Sequence, residues 1–206
     1  LDGTIPPDMQ NHYLQLVSEE TGRLARLIQN MLDLSKLESG EYQVNARMFN
    51  IWETLTGVAL AAEQRINDGM IELEGLTMDE KVLVYADPDL IHQVAYNLLD
   101  NAIEACQKLE KAQRRMTVKA IYNKSDNPPT LFFSVENASK PVEIFGDHIP
   151  TTKPDPELHG FGLPNVMDIL HKYDVFYLMD YKDGSFLFCL EWADAANEKA
   201  VAAAQK

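Results

Sequence analysis

From about Asp8 to Ser39, the positions Leu14, Val17, Thr21, Leu24, Ile28, Met31 and Ser35 recur at alternating steps of three and four. That spacing predicts one long helix with a heptad seam. Leu27, Leu34 and Leu37 widen the stripe beyond what a single partner helix covers. Gly40 supplies the stop, and Pro6-Pro7 in the LDGTIPP turn block a helix arriving from upstream. Two readings stay open. Either this helix packs on its own domain, or it belongs to an intermolecular bundle whose hairpin partner precedes Leu1.

A different pattern begins near Gln43. Asn50 with Glu53 has the form of a capping box opening a helix over 51–67. Short β-like runs follow at Ile71–Leu73 and Lys81–Tyr85. Asp87-Pro88 then supplies an N-cap and a first-turn proline for a long helix to about Leu109. Met116–Tyr122 and Thr130–Val135 read as strands on either side of the turn-forming SDNPP run, 125–129. Residues 138–160 are rich in Pro, Gly and His and lack periodicity, as a functional loop would be. A helix over Gly162–Tyr173 precedes strands Val175–Tyr181 and Ser185–Glu191, joined across Lys182-Asp183-Gly184. Helices and strands mix without strict alternation, so the fold class is α+β, a two-layer α/β sandwich preceded by a long helix. The expected divisions are 1–42 for that helix, 43–193 for the sandwich and 194–206 for a frayed tail.

Composition narrows the function. A hydrophobic content of 46% is enough for a sizeable core, and the net charge of -14 argues against nucleic-acid binding. The same charge means that an anionic ligand needs a divalent cation and backbone donors beside it. Cys106 and Cys189 form no spaced pair and read as reduced, buried thiols in a cytoplasmic setting. No apolar run approaches the length of a membrane span. The sequence starts at Leu1 without a methionine, and a longer parent protein is expected.

Two stretches carry candidate chemistry. On the helix after Asp87, residues Gln93, Asn97, Asp100, Asn101, Glu104 and Lys108 share one face, while Leu90, Ile91, Val94, Leu98, Leu99, Ala102 and Ile103 cover the rest. The plain reading is a polar face meeting water. Asparagine is a mediocre helix former, however, and two of them a turn apart gain nothing from solvent. Beside carboxylates, such amides can ligate Mg²⁺ and bond phosphate oxygens together. The second stretch is Thr151-Thr152-Lys153 followed by His159-Gly160-Phe161-Gly162-Leu163 at a helix start. Glycines there let phosphate approach the first-turn N–H groups, with Lys153 and the threonines adding contacts. A tight-turn role for the same glycines is equally open, and the long loop before them has the form of a lid.

Taken in order, these elements resemble the ATP-binding domain of sensor histidine kinases, within the ATPase fold shared with gyrase, Hsp90 and MutL. Asn97-Leu98-Leu99-Asp100-Asn101-Ala102 matches the family's N box, and Gly160-Phe161-Gly162-Leu163 its second glycine box. Phe145 with Thr151-Thr152-Lys153 resembles the lid before that box. The run from Leu24-Ala25-Arg26-Leu27-Ile28 to Leu37-Glu38-Ser39-Gly40 looks like the second helix of the kinase dimerisation hairpin. The resemblance implies ATP and Mg²⁺ as ligands, Asn101 as the metal ligand, and Asn97, Thr152, Lys153, Gly160, Phe161, Gly162 and Leu163 around the nucleotide. It also implies a homodimer through the N-terminal helix and a response regulator receiver domain as partner. A cytoplasmic location is implied too, with any membrane contact made only by upstream parts of the parent.

The chain departs from the family at two places. Where the first glycine box has an adenine-reading aspartate and spaced glycines, this sequence has Ser134-Val135-Glu136-Asn137-Ala138-Ser139-Lys140; Glu136 or Asn137 stands in for the aspartate. The phosphoacceptor motif is also missing: His12, His92, His148, His159 and His171 all lack its acid-proline context. The acceptor is therefore expected on the helix before Leu1. The resulting reading is a catalytic fragment that transfers the ATP γ-phosphoryl group to that histidine. Its alternatives are a dimerising scaffold with a degenerate nucleotide site and a serine kinase of the same fold.

Overall fold

The computed structural model describes residues 44–74, 82–146, 149 and 162–195, with scattered helical positions between 9 and 32. The chain forms a helix layer on a mixed sheet. Strand β1 is Arg47–Asn50, helix α1 Ile51–Asp68, β2 Glu72–Glu74, β3 Leu83–Ala86 and helix α2 Pro88–Gln107. A 3-10 turn at Lys111–Gln113 leads to β4, Arg115–Asn123, and β5, Thr130–Ala138; helix α3 is Gly162–Lys172, β6 Phe176–Lys182 and β7 Ser185–Ala193. The main sheet runs β2-β4-β5-β7-β6, parallel only between β2 and β4, while β1 and β3 form a separate antiparallel pair.

The helix starts follow their chemistry. Asn50 Oδ1 accepts from the Trp52 amide at 3.3 Å, and its Nδ2 donates to Glu53 at 3.2 Å. The pair is thus a side-chain contact rather than the reciprocal backbone box expected. Asp87 caps α2 as anticipated: Oδ1 accepts from Asp89 N at 3.0 Å, and Oδ2 from Asn45 N at 2.8 Å. At the far ends of α1 and α2, Arg114 donates to three carbonyls, those of Gly69 at 2.6 Å, Leu109 at 3.0 Å and Gln107 at 3.2 Å. One guanidinium fork therefore ties together two helix C-termini, where a cation also meets the favourable end of each dipole.

The core lies between the layers. Strand alternation turns Leu131, Phe133 and Val135 of β5 inward onto Leu90, Val94, Leu98 and Ile103 of α2 and Val166 and Ile169 of α3. The outer face keeps Ile121, Phe176 and Leu178 at half exposure or more. The β6–β7 hairpin turns through Asp183 and Gly184, both with positive φ, the arrangement that Asp-Gly favours between twisted strands.

Several expectations shift. The strand β1 went unpredicted, because its RMFN sequence has no alternation; pairing with β3 creates it. Strand β5 runs three residues past Val135, since its ladder with β7 continues to the Ala138–Ser185 pair. Strand β2 begins one residue late and β3 two, and α2 ends at Gln107. Asp194 and Ala195, assigned to the tail, are held: Asp194 N donates to Pro129 O and Ala195 O accepts from Tyr85 N, each at 2.8 Å. Only Cys106 is a buried thiol; Cys189 is half-buried on the outer face. The ends of the N-terminal helix, including Gly40, and the tail from 196 lie outside the described residues.

Arg114→Ala removes all three carbonyl contacts, and we expect a loss of about 1–3 kcal/mol in urea unfolding. Arg114→Lys, with a single ammonium, should recover less than half of it. A second prediction concerns Tyr173, whose hydroxyl accepts from the buried Asp87 amide at 2.9 Å. Burial pushes its phenol up to about 12 from 10.0, against the small opposing effect of that bond. Because the folded value is the higher one, this contribution is intact below pH 10 and is lost as pH rises from 10 to 12. Ultraviolet titration should show one late tyrosine that disappears in Tyr173→Phe.

Candidate functional site

Helix α2 packs against α1 on one side and α3 on the other, with β4 and β5 beneath it. Its polar stripe therefore does not simply meet water. Asp100 pairs with Arg65 of α1. Burial lowers the affinity of the Arg65 guanidinium for its proton, but the adjacent Asp100 charge and hydrogen bond more than reverse this, so its pKa is raised. Asn97 is buried, 4% exposed, and its Nδ2 has no hydrogen-bond partner among the described residues.

Asn101 and Gly162 meet across the α2–α3 contact. A β-carbon built on Gly162 would lie 3.1 Å from Asn101 Nδ2, tighter than an ordinary contact. Glycine at the first residue of α3 thus makes for a close fit, with the amide end of α3 directly against the Asn101 side chain. The N–H groups left unpaired at such a helix start attract anions, although Pro164 in this first turn has none to offer. The structure also reveals a residue that the sequence reading missed. Asn165, one turn into α3, is fully buried, and neither its Oδ1 nor its Nδ2 has a partner among the described residues. The signal was present: Asn165 sits on the stripe of Val166, Ile169 and Leu170, where an apolar side chain belongs.

The two candidates for the adenine-reading position separate cleanly. Alternation along β5 sends Glu136 to the exposed outer face, opposite the helices, whereas Asn137 is buried on the inner side. Asn137 Nδ2 donates to the Ala138 carbonyl at 3.0 Å. Leu163 packs at the core edge, and Phe145 stands 61% exposed. Thr151, Thr152, Lys153, His159, Gly160 and Phe161 lie outside the described residues, as do His12 and His148. Of the remaining histidines, His92 stacks on Tyr96 and His171 lies beside Tyr177, both far along their helices from the Asn101–Gly162 contact. An apolar groove of about 320 Å³, lined by Ile121, Phe132, Leu178 and Cys189, occupies the outer face of the sheet and has no part in this arrangement. Among the described residues no His, Cys, Asp or Glu cluster could hold a metal.

Residues 88–192 match the family model described as the GHKL domain, just over half of the chain. The chain belongs to the GHKL family. It is 32% identical to the sensor histidine kinase YclK of Bacillus subtilis (strain 168) over 108 residues, 50% of this chain and 22% of that protein. The chain thus spans about a fifth of YclK, and only 6% of some other curated histidine kinases that it matches. Among solved structures, the Acinetobacter baumannii histidine kinase AdeS superposes with a TM-score of 0.69 at 20% identity, covering 95% of this chain and 89% of that one. Full-length ShkA in complex with AMPPNP gives 0.63 at 19% identity, covering 96% and 42%. These structural likenesses establish the fold, a GHKL-type helix layer on a mixed sheet.

The Gly162–Asn101 contact yields its own prediction. Gly162→Ala must displace the Asn101 amide by a few tenths of an ångström. The substitution should leave far-ultraviolet circular dichroism unchanged while shifting the Asn101 side-chain amide resonance in NMR spectra.

Proposed function

We propose that this chain is the ATP-binding catalytic part of a two-component sensor histidine kinase, and that it carries the dimerisation helix on its N-terminal side. The observation that bears most weight is the meeting of Asn101 with Gly162 at the start of α3, one turn from Asn97, whose buried Nδ2 has no partner among the described residues. An orphaned donor and a close approach left free of a β-carbon suit a phosphate group, and AMPPNP is bound in the full-length ShkA structure of the same fold. Asn101 would ligate Mg²⁺, and Asn97 would donate to phosphate, with Thr152, Lys153, Gly160, Phe161 and Leu163 completing the surround. Asn137, rather than Glu136, has the inward placement suited to the adenine amino group. When bound, the metal supplies charge neutralisation at the phosphates, which a chain of net charge -14 otherwise lacks. The protein's own contribution to γ-phosphoryl transfer is positioning, with the helix α3 amides and the asparagine side chains holding the phosphates in place.

The acceptor histidine belongs, on this reading, to a helix preceding Leu1, and the product phosphohistidine serves a response regulator receiver domain. Dimerisation through the N-terminal helix is supported by its described seam positions. Leu14, Val17, Leu24 and Ile28 are helical and between 52% and 66% exposed, so the chain alone leaves them uncovered. No helix among the described residues is long and apolar enough to cross a membrane; a cytoplasmic setting, beneath a membrane-anchored parent, is part of the proposal.

Two measurements test this. Calorimetry should find Mg²⁺-dependent binding of an unhydrolysable ATP analogue, weakened at least about tenfold by Asn101→Ala. No binding with or without Mg²⁺ would leave the dimerising scaffold as the better account. Sedimentation should show self-association that Leu24→Glu with Ile28→Glu abolishes; a clean wild-type monomer would contradict the helix assignment.

A further inference from the structure

Asn165 lies outside the motifs that suggest nucleotide binding, yet it is the least accommodated polar side chain described: 0% exposed, with both amide atoms unpartnered. Its nearest counterpart in kind is Asn97, whose Nδ2 is also buried without a partner. The topology sets these two side by side. Short links turn α2 back along β4 and α3 back along β6. The β4–β5, β5–β7 and β7–β6 pairings are each antiparallel, so β4 and β6 run in opposite directions, and so do α2 and α3. With Gly162 set against Asn101, one turn forward in α3 corresponds to one turn back in α2. That step leads from Gly162 to Asn165 and from Asn101 to Asn97. An orphaned donor, Asn97 Nδ2, therefore faces the neighbourhood of an orphaned acceptor, Asn165 Oδ1.

Resting on the nucleotide-site reading above, we propose that Asn165 is a positioning residue, whose Oδ1 accepts one amide hydrogen of Asn97 when nucleotide is bound. Asn97 Nδ2 carries two hydrogens. Committing one to Asn165 fixes the amide plane and aims the other at a phosphate oxygen. The uncommitted amides of the nucleotide-free chain are a cost that a purely structural residue would not carry, because leucine fits the same space without leaving polar atoms unpaired.

The test is a double-mutant cycle on the full chain, using Asn165→Leu, Asn97→Ala and the combination. Two readouts are needed: the nucleotide-free thermal midpoint, and calorimetric affinity for an unhydrolysable ATP analogue with Mg²⁺. Asn165→Leu should hold or raise the midpoint while weakening binding about tenfold, and in the Asn97→Ala background it should change affinity less than about twofold. Asn165→Ala serves as the second variant if leucine does not fold, with the same loss of affinity expected. Unchanged affinity in Asn165→Leu, or losses that add in the double variant, would overturn the proposal while leaving the nucleotide site intact. A wild-type chain that binds no nucleotide would overturn the site itself, and this role with it.

Discussion

The packing of α2 between α1 and α3 is the constraint on which the remaining structure depends. Where its flanks and underside are covered, solvent cannot satisfy the polar groups of this helix, so each buried one must find a protein partner or a ligand. Asp100 finds Arg65. Asn101 lies against the bare backbone of Gly162, where a β-carbon would push its amide aside by a few tenths of an ångström. The Nδ2 of Asn97 finds nothing among the described residues, and neither amide atom of Asn165 on the facing helix does. These unpaired amides lie at the one helix–helix contact to which the proposed nucleotide site is assigned, and both helices fall within the residues 88–192 matched by the GHKL family model.

The sheet and the caps exist to hold that contact. Asp87 anchors the start of α2 by accepting from Asn45 and Asp89, and its own amide donates to Tyr173, the residue after α3. Arg114 anchors the other end together with the end of α1. Helix α2 is thus fixed at both termini by polar contacts and along its length by the core beneath. Such rigidity matters for a function that consists of positioning, because misplacement by an ångström is costly in rate.

Much of this was legible in the sequence, for reasons that differ by element. Asp87-Pro88 carries a local signal of cap and first-turn proline, and the start of α2 falls where that signal puts it. The NLLDNA run stands out because asparagine is a poor choice for an ordinary amphipathic helix, whereas of the GFGL turn only Gly162 and Leu163 lie among the described residues. Strand β1 was not readable, since its four residues become a strand only through β3. Strand β5 runs past its expected end because Glu136 and Asn137 are poor strand formers by propensity, a preference that the ladder to β7 overrides. Asn165 belongs to no motif, and its only signal in the sequence is its spacing with Val166 and Ile169, which marks a polar group in an apolar stripe. The Arg65–Asp100 pair joins positions 35 residues apart and left no pattern to find.

The central claim is that the asparagines at the α2–α3 contact are the phosphate end of a nucleotide site. Side-chain carboxamide NMR resonances, followed as an unhydrolysable ATP analogue is added with Mg²⁺, report on them directly. The account predicts that the Asn97, Asn101 and Asn165 carboxamides shift together on saturation, with resonances on the outer face of the sheet at rest. Unmoved carboxamides at saturating analogue, or shifts confined to the outer-face groove around Leu178 and Cys189, would contradict it.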